Sequence, residues 1–219
     1  MTSRPFLLTS AAASLAYLLT ADFGATEWRV VLKVVSVALL ALLGFRVSKL
    51  LGAALTFGAI GDFLLDVPRL GALGPEQLFL FGLGAFLVGH VVYIVMFRRF
   101  PRSHNSLRVA AILAVVATLI CVLAVLRDSL GPLRIPVVIY ALVLATMAIS
   151  AILADLGNPL AAVGALCFVA SDAMLAFAKF HAPFPASSVL IWLTYYAAQL
   201  LIFLGVTRGL DSRHTSPQP

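Results

Sequence analysis

Two aspartates interrupt long apolar runs of this chain: Asp62 within Phe57–Leu65 and Asp172 within Phe168–Leu175. Lipid offers a carboxylate no solvent. A charge placed there costs about 2.5–3.5 kcal/mol on insertion scales and normally faces a protein interior, where it has work to do. Two carboxyl groups in a partly dehydrated pocket can be driven apart, one held as the neutral acid and the other as the anion. Such a pair suits general acid/base hydrolysis of an acetal-like or enol-ether bond. Lys33, Asp66 and His90 are the other ionisable residues inside apolar stretches, while Asp22 and Asp155 fall where such stretches end.

Other hydrolytic chemistries lack their residues. Of the four histidines only His90 lies within an apolar stretch; His104, His181 and His214 fall in loops or the tail. No His-Glu-x-x-His zinc motif is present. A Gly-x-Ser-x-Gly nucleophile elbow is also missing, and Ser171 beside Asp172 does not make a triad. Cys121 and Cys167 have no metal-type spacing and read as packing residues. Neither a metal nor an organic cofactor is expected.

The elements that must position these groups are membrane spans. Of the 219 residues 62% are apolar and only 11% charged, with a mean hydropathy of +1.08. Soluble domains carry about 25% charged residues, so this chain could not coat a globule with polar groups. Continuous runs such as Val109–Leu126 do not alternate as barrel strands must. The fold expected is an all-α polytopic transmembrane bundle of about eight spans, at about 6–22, 29–45, 48–65, 77–97, 108–126, 134–154, 159–178 and 188–207. They make one transmembrane domain over residues 1–207, followed by a polar tail at 208–219. A signal peptide is the alternative reading of the first span; removing it would worsen the charge asymmetry of the loops.

That asymmetry sets the orientation expected. Arg4, Arg46, Lys49, Arg98, Arg99, Arg102, Arg108, Arg208 and Arg213 fall on one side and Arg29, Arg69, Arg127, Arg134 and Lys179 on the other. The richer side is the cytoplasmic one, so both termini are inside, in a bacterial inner membrane. The net charge of +6 is then a matter of topology. Its only basic cluster is the loop Arg98–Arg108, and no nucleic-acid partner is expected.

In this topology Lys33, Asp62, Asp66, Asp172, Tyr195, Tyr196 and Gln199 come to overlapping depths toward the outer leaflet, with His90 nearer the midplane. Each has a blander reading. Lys33 either snorkels to the headgroups or pairs with a carboxylate. Asp66 reads as interfacial, His90 as a donor to a carbonyl, and Tyr93 and Tyr196 as packing. The segments around Asp62 and Asp172 also echo one another: each has a small residue before the aspartate and an apolar run after it. Four spans apart, they suggest a parallel four-plus-four repeat.

Taken in order, Lys33-Val-Val-Ser36, Gly61-Asp62-Phe-Leu-Leu, Phe86-Leu-Val-Gly-His90-Val-Val-Tyr93, Phe168-Val-Ala-Ser171-Asp172, Lys179-Phe180 and Trp192-Leu-Thr-Tyr195-Tyr196-Ala-Ala-Gln199 resemble the YhhN, or lysoplasmalogenase, family over roughly residues 30–205. The resemblance implies a membrane hydrolase that cleaves the vinyl-ether bond of a lysophospholipid, 1-alkenyl-glycerophosphocholine or -ethanolamine, to a fatty aldehyde and the glycerophospho-headgroup. It implies Asp62 and Asp172 as catalytic residues, with Lys33, His90, Tyr93, Ser171, Tyr195, Tyr196 and Gln199 binding substrate. One aspartate would protonate the enol ether and the other would steady the cation. Asp172, the deeper of the two, is favoured as the donor. Phe86 and Leu175 would line the chain path. The rival class is a small lipid or solute transporter that uses the buried carboxylates for proton coupling, and the blandest option is a structural membrane subunit.

Overall fold

A computed structural model describes residues 3–20, 27–67 and 70–215. Asp22 and Arg69 lie outside the described residues. Among the described residues eight α-helices follow one another: α1 (Ser3–Leu19), α2 (Glu27–Val47), α3 (Lys49–Asp66), α4 (Pro75–Phe97), α5 (Ser106–Leu126), α6 (Arg134–Leu153), α7 (Leu160–Phe180) and α8 (Ser187–Thr215). A single turn of 3-10 helix, Gly131–Leu133, leads into α6. No strand occurs among the described residues, only isolated bridges at Leu70–Leu73 and Arg102–Ala154. The protein is an all-α integral membrane protein.

Six helices, α2 and α4 to α8, are long and apolar enough to cross a membrane. The other two expected spans exist as helices with specific shortfalls. α1 has 17 residues, and α3 carries Lys49, Asp62 and Asp66 within its 18. At a rise of 1.5 Å per residue either reaches about 25–27 Å, close to the hydrocarbon thickness. α8 continues to Thr215, so residues 208–215, expected as polar tail, extend the last helix.

The chain divides into two compact units at residues 93 and 94, in the last turns of α4. In the first unit α2 packs on α1 and α3. Only Ser48 separates α2 from α3, its extended backbone (φ −157°, ψ 134°) turning the chain back on itself. Ser10 on α1 donates to the Ser36 carbonyl of α2 at 2.6 Å, which buries a polar group with its partner. The ring of Phe86 on α4 lies against Gly61, where any side chain would strike it.

In the second unit α7 packs along α8 and α6, and α5 rests on α6 and α7. A methyl added at Gly164 of α7 would come 2.8 Å from the Ala198 carbonyl oxygen of α8. The absent side chain therefore sets the helix separation, as small residues do in membrane packing generally. Asn105 caps α5 by accepting from the Arg108 amide at 2.8 Å. The Arg108 guanidinium donates to the carbonyls of Ile152 and Ala154 at the end of α6, satisfying groups that a helix end leaves open.

Candidate functional site

α3 presents Asp62 and Asp66 four residues apart on one face, one helical turn between them. Two like charges so placed repel, more strongly as the medium becomes less polar. α2 answers with Lys33, whose Nζ lies 2.8 Å from Oδ1 of Asp66 and 3.8 Å from Oδ1 of Asp62. Of the two readings open for Lys33, the structure realises the pairing. Asp62 is 2% exposed, against 25% for Asp66. The more buried carboxylate thus feels the ammonium as a charge, while the more open one holds it by a hydrogen bond. Tyr17 of α1 donates to the second oxygen of Asp66 at 3.3 Å, and the Arg29 guanidinium sits 4.7 Å from the centre of the Tyr17 ring.

Asp172 is partly buried on α7, and its Oδ2 accepts the hydroxyl of Tyr140 from α6. Each unit therefore repeats one device: an aspartate on its third helix meets a donor from its second. The neighbouring Ser171 spends its hydroxyl on α8, donating to the Ile191 carbonyl at 2.9 Å. One helix further, Gln199 donates to the Tyr195 hydroxyl at 3.1 Å, the i, i+4 reach along a helix face. Around them the Tyr195 ring stands edge-on to Phe168 at 5.4 Å, and Trp192 stacks on Tyr196. Such pairs fix ring orientation as well as bury area.

His90 and Tyr93 on α4 are both buried. They lie three residues apart and share one side of the helix. Among the described residues no three His, Cys, Asp or Glu side chains gather as metal ligands would. A groove of about 380 Å³ runs between α2 and α3, lined by Val30, Val34, Phe63 and Val67, with Glu27 at its end.

The pattern that carries these groups, from α2 through α8, is also a family pattern: the YhhN family matches residues 28–206. The chain belongs to the YhhN family. This YhhN member is similar to the lysoplasmalogenase of Mycobacterium bovis, 35% identical over 178 residues that make up 80% of this chain and 66% of that protein. The same figures hold for the lysoplasmalogenase of Mycobacterium tuberculosis. The chain is also similar to the human lysoplasmalogenase TMEM86B, 34% identical over 163 residues, 74% of this chain and 65% of that protein. The chain thus spans just under two thirds of the length of these relatives. No solved structure matches it.

All nine expected site positions, Lys33 to Gln199, lie inside the matched region. Within the units the structure joins Lys33 to Asp62 and Gln199 to Tyr195, and turns Ser171 toward a helix carbonyl. Sequence reasoning missed Tyr17 and Tyr140, and named no partner for Asp66. A phenol inside an apolar helix is too common a packing residue to single out. The i, i+4 spacing of Asp62 and Asp66 was the available signal for the last.

Proposed function

We propose that this protein hydrolyses the vinyl-ether bond of lysoplasmalogens, the reaction named for its relatives, with Asp62 and Asp172 as its working carboxylates. The observation that carries the reading is the similarity to lysoplasmalogenases along 80% of the chain, which includes both aspartates. The immediate partners of each aspartate, within its own unit, support the division of roles. Asp62 faces an ammonium and serves as the anion. Asp172 accepts from a neutral phenol on one oxygen, which holds an anion less strongly than an ammonium does, and is assigned the proton on the other.

The chemistry balances without an outside reagent other than water. Asp172 gives its proton to the β-carbon of the enol ether, and the double bond becomes an oxocarbenium ion that the Asp62 anion steadies. Water adds to the cationic carbon and passes a proton to Asp62, leaving a hemiacetal. Asp62 returns that proton to the departing glycerol oxygen as the C–O bond breaks. Asp172 takes the hemiacetal hydroxyl proton, and the aldehyde forms with both groups restored. His90, Tyr93, Ser171, Tyr195, Tyr196 and Gln199 are assigned to holding the lysophospholipid, while Lys33, expected among them, is engaged by the carboxylates of α3; the valine-lined groove between α2 and α3 suits an alkyl chain.

Hydrolysis in heavy water tests the reading. Protonation at carbon puts one deuterium on C2 of the aldehyde, retained on prompt reduction to the alcohol. Aldehyde without that deuterium contradicts the protonation step, and lipid uptake without aldehyde favours a transporter. We place the protein in a bacterial inner membrane, and the loop charges support both termini being cytoplasmic; labelling of single cysteines placed at positions 3 and 212 by an impermeant maleimide, in intact against broken cells, tests the orientation.

A further inference from the structure

Of the two α3 carboxylates, Lys33 hydrogen-bonds Asp66, the more open one, and stands farther from the buried Asp62 that the proposed reaction uses. We propose that Asp66 is a positioning residue: it holds the Lys33 ammonium within charge range of Asp62 while keeping it from bonding Asp62 directly. The inference rests on the proposed role of Asp62.

The distances define the arrangement. Nζ of Lys33 is at hydrogen-bond length from Asp66, 2.8 Å, and beyond it from Asp62, 3.8 Å. A lysine head is a flexible point charge on four methylenes, so its place is set by what holds it. Asp66 is itself held, because its other oxygen accepts from Tyr17. The Tyr17 ring has Lys33 Nζ at 5.9 Å and the Arg29 guanidinium at 4.7 Å from its centre. Tyr17, Asp66 and Lys33 thus form a relay from α1 through α3 to α2, ending on the carboxylate buried most deeply. Charge acts on Asp62 across the 3.8 Å separation.

Removing the anchor lets the ammonium fall onto Asp62. Asp66→Asn is expected to lower kcat about tenfold with KM within about twofold, since small displacements of a charged group act on the chemical step. Asp66→Glu restores most of the loss, and Tyr17→Phe gives a smaller loss in the same parameter. The readout independent of turnover is the rate of Lys33 acetylation by acetic anhydride, followed by mass spectrometry with the exposed Lys49 and Lys179 as internal references. That rate changes in Asp66→Asn at an unchanged thermal midpoint of the purified protein. A wild-type kcat together with unchanged Lys33 reactivity in Asp66→Asn overturns the proposal, as does a loss confined to KM. If the wild-type protein releases no aldehyde, the functional reading fails by itself, and Lys33 reactivity alone decides whether Asp66 holds the ammonium.

Discussion

The Tyr140 hydroxyl on α6 donates to Oδ2 of Asp172 on α7. Tyr140 is buried, so this phenol is part of the carboxylate's solvation. Replacing it by phenylalanine keeps the ring and removes the donor. A hydrogen bond to an ionisable group contributes about 1.5–3 kcal/mol. Tyr140→Phe is therefore expected to lower kcat for aldehyde release by about tenfold or more, while the protein elutes as the wild type does on gel filtration. Undiminished turnover would remove Tyr140 from the site.

Lys33 offsets two carboxylates of α3 at once. Lys33→Met leaves Asp62 and Asp66 facing each other across one turn with no cation between them. Breaking a buried pair in this way costs about 3 kcal/mol, and the thermal midpoint in detergent should fall clearly. Adding Asp66→Asn to Lys33→Met removes one of the repelling charges and should recover part of the loss. A Lys33→Met protein that melts with the wild type would mean that the ion pairs add nothing to stability.

Packing of α7 on α8 depends on the missing side chain at Gly164. In Gly164→Ala the new methyl meets the Ala198 carbonyl oxygen at 2.8 Å and the Ile202 amide nitrogen at 2.9 Å, both backbone atoms that cannot swing aside. Overpacking of this kind costs about 1–3 kcal/mol. A thermal-shift measurement should show the lowered midpoint; a neutral or stabilising effect would mean that the two helices separate at no cost.

Much of the fold was legible because lipid simplifies the problem. Without water to satisfy backbone groups, long apolar runs must be helices, so all eight were placed within a few residues at most ends. The end of α8 was the exception. Arg208, Asp211 and Arg213 signal that the apolar span is over, yet a polar helix can continue past it, and Arg213 is tied back by its bond to the Asp155 carbonyl. The site divided along similar lines. Asp62, Asp172 and Lys33 stood out because charge is expensive in lipid. Tyr17 and Tyr140 did not, because a tyrosine is affordable there whether or not its hydroxyl has a task. Asp66 reads as interfacial from its position at a helix end, and only the geometry of α2 on α3 shows Lys33 reaching it.

The central claim is that Asp62 and Asp172 carry out vinyl-ether hydrolysis. Its most direct test is aldehyde release from lysoplasmalogen by the purified protein, with Asp62→Asn and Asp172→Asn assayed beside the wild type. The account predicts aldehyde and glycerophospho-headgroup in equal amounts from the wild type. Each variant should lose about a hundredfold or more of the rate while keeping the wild-type elution profile. No aldehyde from the wild type, or a full rate from either variant, would contradict it.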